Sequence, residues 1–311
     1  MHPGTPSRNQ LAPVIFRPPR ALGVIVGGAL AVWAAIVAGL AANLAIGASA
    51  ELKTLVAWVV AAVMLLIALA FANWTFAVAT MAYTIDDEAL TITWGWRRVV
   101  IPIATIQRMI PGRNIEEPRI EGLNWWGCHV GHAEVPRVGY TMIYSTHSGP
   151  EEILYVVTSE GSYGLTVLEQ AQFAREIQER ALAGPPEDIP QRAVATGLGA
   201  MPFWRDRQAV IAAALSALAC IALAAYVVVR YPGLPDVVQL EFPSLGGVAR
   251  FSDKSELLRI AYLGVGILAV NTLVGVTIHA RERAAGLWLL ASGGMLQLVL
   301  LAAAIVAFET V

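Results

Sequence analysis

Tyr83–Pro111 reads YTIDDEALTITWGWRRVVIPIATIQRMIP. Thr84 and Asp86, then Leu90, Ile92 and Trp94, step by twos, with turns at Asp86-Asp87-Glu88 and Gly95. That is the period of strands that bury one face. Two segments before it and three after it have the opposite character, long apolar runs with no alternation. The stretch therefore opens a sheet domain set between membrane spans.

Composition agrees. The 311 residues are 57% hydrophobic and 14% charged, against roughly a quarter charged in soluble domains. Residues 1–21, rich in proline with three arginines and no acid, read as a disordered basic leader. Leu22–Ile46 then runs uncharged for 25 residues, enough at 1.5 Å per residue to cross a hydrocarbon core of about 30 Å. A signal peptide ending near Ala48-Ser49-Ala50 is the competing reading, and the run is too long for one. Leu55–Phe76 completes a pair of spans within 22–76, and 209–229 and two more within 257–308 bring the total to five. Arginines at 8, 17, 20, 205, 207, 281 and 283 fall on one side if the N-terminus is cytoplasmic, as the positive-inside rule prefers. The expected location is a bacterial plasma membrane, with the C-terminus outside. Cys128 and Cys220 provide no disulfide framework.

Within 83–183 seven short strands are expected, near 83–86, 89–94, 97–102, 105–110, 140–145, 152–158 and 162–166. A helix over Leu168–Leu182 follows, with Phe173, Ile177 and Ala181 stepping by four on its apolar face. Thr166-Val-Leu-Glu169 fits a capping box at its start. The 112–138 insert, broken by Gly122, Gly127 and Gly131, is expected to be a loop packed by Trp125 and Trp126. Its Cys128, His129 and His132 are metal-ligand types without the paired spacing of a structural zinc site. Residues 184–207 read as a proline-rich linker and interfacial anchor.

This order of strands and helix resembles the bacterial pleckstrin-homology (PH-like) domains. The resemblance rests on the aromatic-Thr-Ile start, the acidic turn and the basic strand ending in Ile101-Pro102-x-x-x-Ile106. The later GLNWWGCHVG, YTMIYST and ILYVVTSEGSYGLTVLEQAQFAREI also carry it. It implies an α+β fold, a seven-stranded bent antiparallel sheet plugged by its C-terminal helix, used for binding rather than chemistry. Eukaryotic relatives capture phosphoinositides with a basic first turn. Here that turn is Asp86-Asp87-Glu88, and 83–192 holds nine Lys/Arg against fifteen Asp/Glu. Phosphoinositide and nucleic acid are both disfavoured as partners.

The 230–256 loop reads as a small outer hairpin. Its LPDVVQLEFPSLGGVARFSDKSELL is similar to the module of unknown function found beside the membrane spans of SdpI-type immunity proteins. Leu234, Pro235, Asp236, Phe242, Gly246, Phe251, Lys254, Leu257 and Leu258 carry the similarity, with Glu241 where that family has histidine.

Hydrolase, metalloprotease and phosphate-loop motifs are missing from the sequence, so the expectation is a non-enzymatic protein without cofactor or metal. The expected role is a membrane-anchored binding or scaffold protein that engages the bilayer and a protein partner or a second copy. The candidate contact residues are Trp125, Trp126, His129, His132, Asp236, Glu241 and Lys254. The alternative is an SdpI-like immunity or envelope-stress role against membrane-active peptides. A transporter ranks third, because Asn271 and Gln297 are the polar groups in the spans and no mid-span charge accompanies them.

Overall fold

The computed structural model describes residues 12–147, 149–183, 190–195, 200–240 and 250–309. Five of its helices are long and apolar enough to cross a membrane. The chain divides into two compact units, one of 1–34 with 66–200 and the other of 35–65 with 201–311.

The first unit opens with β1 (Val14–Phe16), the start of α1 (Ala21–Ala45) and the end of α2 (Leu52–Ala79). Then come β2 (Ala82–Ile85), β3 (Ala89–Trp94), β4 (Arg97–Pro102), β5 (Ile106–Pro111), β6 (Glu121–Trp125), β7 (Cys128–Val135), β8 (Gly139–Ser145), β9 (Ile153–Thr158) and β10 (Ser162–Thr166). α3 (Gln170–Ala183) and β11 (Arg192–Ala195) complete it. The strands form two sheets, ordered β1-β2-β3-β4-β11 and β5-β9-β10-β8-β7-β6.

The seven-stranded expectation therefore falls short in three places. The leader supplies an edge strand, because Val14-Ile15-Phe16 offers three apolar residues that pair with Tyr83–Ile85. Phe16 then packs edge-on to Phe173 of α3, with ring centroids 5.1 Å apart. The linker supplies the other edge, Arg192–Ala195 on β4. The insert is no loop but the β6–β7 hairpin, in register from Glu121↔His132 to Trp125↔Cys128. The second sheet also holds a parallel pair, β8 with β10, because β9 crosses to the far side of β10 and joins β5.

The core lies between the sheets and includes Tyr83, Ile85, Leu90, Ile92, Ile101, Val156, Leu165, Phe173 and Ile177. Tyr83 is fully buried and stitches the layers together: its hydroxyl donates to the Tyr144 carbonyl at 2.7 Å and accepts the Thr166 N–H at 3.3 Å. The capping box is not formed. Thr166 instead spends its hydroxyl on Ser145 and on the N–H of Thr146, and α3 starts at Gln170. Nor does Ala181 complete the buried stripe of α3. Arg180 does, 3% exposed, with its guanidinium on Glu176 and on the Ala12 carbonyl at 3.0 Å.

In the second unit, α4 (Arg207–Arg230), α5 (Ser255–His279) and α6 (Arg283–Glu309) form a bundle, with β12 (Val237–Leu240) paired to β13 (Arg250–Asp253). Small residues let the helices close up, and buried polar groups bond across them. Ser216 donates to the Leu290 carbonyl and Gln297 to the Gly264 carbonyl, each at 2.7 Å. Gly293 and Gly294 face Asn271 and Ser216 closely, and a Cβ on them would sit 3.3 and 3.1 Å from those side chains.

Candidate functional site

Two hairpin turns of the first unit come to rest on the end of α2 and the start of α1. The β3–β4 turn is Gly95-Trp96, between the paired Trp94 and Arg97. Gly95 has φ +57°, and a Cβ there would sit 2.9 Å from the Cβ of Ala77. Its N–H donates to the Thr80 hydroxyl at 3.0 Å. Trp96 donates its indole N–H to Asn73 at 3.0 Å and lies 4.9 Å from the Phe76 ring. The β6–β7 turn is Trp126-Gly127. Gly127 has φ +76°, and a Cβ there would fall 2.3 Å from the Gly23 nitrogen at the start of α1. Trp125 packs against Trp74 and Phe71 at 5.3 and 6.3 Å, while Trp126 stays 70% exposed beside it. Arg20 donates to the Ala79 carbonyl, the last of α2, where a cation is favoured by the helix dipole.

The remaining predicted residues divide differently. Neighbouring residues of a strand point to opposite faces, so β7 separates the potential metal ligands. Cys128 is fully buried in the core, and burial pushes its thiol above the ordinary value, which keeps it protonated and unreactive. His129 points the other way, with Nδ1 on Asn124 at 2.6 Å. Burial chiefly, and the neighbouring His147, hold it below its ordinary 6.5, with Glu117 opposing. His132 stacks on Tyr140 at 4.9 Å. Among the described residues no three His, Cys, Asp or Glu side chains converge.

In the second unit Asp236 and Lys254 meet, Nζ to carboxylate at 2.7 Å. The Lys254 N–H also donates to the Asp236 carbonyl at 3.1 Å, so the pair closes the β12–β13 hairpin. Lys254 Nζ lies 5.5 Å from the centre of the Tyr231 ring. Glu241 lies outside the described residues.

Three groups escaped the sequence reading. Trp96 sat in a turn and gave no sign that α2 would supply Asn73 as its partner. Arg180 lay outside the apolar face expected of α3, Phe173, Ile177 and Ala181. Asp206 caps α4 by accepting the Gln208 N–H at 3.0 Å, and it also takes Arg283 at 2.6 Å and the buried His279 at 3.4 Å. The Arg283 guanidinium holds the Asp206 carboxyl below its ordinary 3.8. The basic link between α5 and α6 was legible, but not its acidic partner 77 residues earlier.

With the fold and these contacts in place, the comparison with protein families covers β2 to β10 and most of α3. Residues 81–181 match the family model of the bacterial PH domain. The match agrees with the resemblance drawn from the opening strands, and with the five long apolar helices it supports a membrane protein that carries a PH-like domain. No curated protein and no solved structure matches the chain.

Proposed function

We propose that this protein is a non-enzymatic membrane platform whose PH-like domain binds a protein partner or a second copy of itself on the cytoplasmic side. The observation that carries the reading is the free edge of the second sheet. Among the described residues β6 pairs only with β7, and all five of its residues are exposed. An open edge is a template for an extended segment, which would gain main-chain hydrogen bonds there. The cleft beside α3 is an open surface of mixed charge, lined among others by Arg113, Glu151, Glu152, Glu169 and Arg175.

The orientation belongs to the same proposal. Strand β1 joins the leader to the PH-like domain, so Arg17 and Arg20 accompany it, and Arg281 and Arg283 follow the positive-inside rule on that side. Protease accessibility of the 83–183 segment in sealed inverted vesicles tests this. Protection there would reverse the topology.

For the partner, a photo-crosslinker at Glu121 in intact membranes should join β6 to one protein species or to a second copy. Leu123→Lys, which blunts the edge, should abolish that product. Uncrosslinked monomer in both cases would refute the reading.

A second reading, the SdpI-like immunity role, draws on the β12–β13 hairpin. It buries Val238 against the bundle yet leaves Val237 and Phe251 60% and 69% exposed. Unchanged sensitivity to membrane-active peptides after gene deletion would remove it.

A further inference from the structure

The first sheet is electrically polarised along its strands. Register places Phe16, Tyr83, Ile92 and Val99 in one row, so Arg17, Ala82, Thr93 and Arg98 stand together at the end where the chain meets α1 and α2. The segments closing that end, 17–20, 80–82, 93–98 and 194–195, contain Arg17, Arg20, Arg97 and Arg98 and no acid. Asp86, Asp87 and Glu88 close the opposite end, beyond strands of about 15–20 Å.

The depth of the basic end follows from α2. Its 28 residues make a helix of about 42 Å, which exceeds a hydrocarbon core of about 30 Å. The excess is enough to carry the final turns of α2 into the headgroup zone. Trp96 is bonded to Asn73 there, and Trp125 is packed on Phe71 and Trp74. Tryptophan with arginine at this level is the composition of a membrane boundary. Arg20 is committed to Ala79, whereas Arg17, Arg97 and Arg98 are exposed. Arg97 lies 5.9 Å from the centre of the Trp94 ring, and among the described residues no acceptor takes its guanidinium donors.

We infer that this end of the PH-like domain, built on Arg17, Trp96, Arg97, Arg98 and Trp126, binds the headgroups of anionic phospholipids in the leaflet that α2 leaves. The site lies at the opposite end of the sheet from the acidic turn, so the domain's net negative charge does not oppose it. It goes beyond the partner reading above and is independent of the β6 edge.

The test is hydrogen–deuterium exchange at the 94–98 turn of the full chain, in nanodiscs of phosphatidylcholine alone or mixed with phosphatidylglycerol. Anionic discs should slow exchange by about fivefold for each arginine engaged, and raised salt should reduce the effect. R97Q/R98Q should lose the difference and R97K/R98K should keep most of it. Exchange in the fully buried strand β9 reports whether each variant is folded. If R97Q/R98Q loosens β9, the exposed R17Q replaces it, with a fall of about one arginine's worth expected. Equal exchange in both discs, a difference that survives in the folded glutamine variant, or protection produced in phosphatidylcholine discs by free inorganic phosphate would each overturn the proposal.

Discussion

The two turns of one small sheet have opposite fates. At the β2–β3 turn, Asp86 Oδ1 accepts the N–H groups of Glu88 and Ala89 at 3.0 and 2.7 Å, so the acidic turn is closed on itself. At the β3–β4 turn, Gly95 and Trp96 reach outward to Thr80, Asn73 and Phe76 on α2. One turn is finished by its own side chain and by the Ile103 N–H on the Glu88 carbonyl; the other is finished by a membrane helix. The acidic turn is the one that lipid-binding relatives use, and on the proposal above it is the end of the sheet that faces away from the headgroups.

That contrast can be broken most severely at the docked side. Gly127→Val would force a β-branched side chain into φ +76° and against the Gly23 backbone. A loss of about 3 kcal/mol or more in unfolding stability is expected, with the β6–β7 turn lifted from α1. Chemical denaturation in detergent, followed by tryptophan fluorescence, measures it. Tyr83→Phe tests the seam between the sheets. Leaving the Tyr144 carbonyl and the Thr166 N–H without this partner should cost about 1–3 kcal/mol in the same assay, without changing lipid preference. Asp86→Ala opens the self-closed turn and should cost about 1 kcal/mol, again without changing the anionic-lipid response of the 94–98 turn. If it did change that response, the two ends would not be independent.

The smallest effect is on pH. His129 has a lowered proton affinity in the fold, so protons bind the unfolded chain first as pH falls through 6.5. Stability of the PH-like domain should decline below that value and stay level just above it. His129→Gln should flatten this part of the pH–stability curve.

What the sequence made legible depended on whether one segment carried its own reason for folding. The five apolar helices did, as did β2 to β5, whose alternation is set within each strand. The β6–β7 hairpin did not. Gly122 and Gly131 look like strand breakers, yet they face each other across the hairpin, where a Cβ on Gly131 would lie 2.4 Å from the Glu121 carbonyl. Strands β1 and β11 are three and four residues long beside prolines, and they become strands only because β2 and β4 offer open edges. Arg180 resembles a surface arginine until the Ala12 carbonyl is brought to it from 168 residues away. Trp125 and Trp126 were identifiable as apolar anchors. The placement of Trp125 beside Phe71 and Trp74 required the tertiary fold.

The most direct measurement of the central claim is depth. Nitroxide labels at Trp126→Cys and Glu88→Cys in the full chain, reconstituted in bilayers, can be compared by their relaxation with oxygen and with a water-soluble nickel complex. The native Cys128 and Cys220 are buried away from the label. The account predicts that the label at 126 lies at the boundary of headgroup and hydrocarbon while the label at 88 is fully aqueous. Equal exposure of both labels to the aqueous reagent would contradict it.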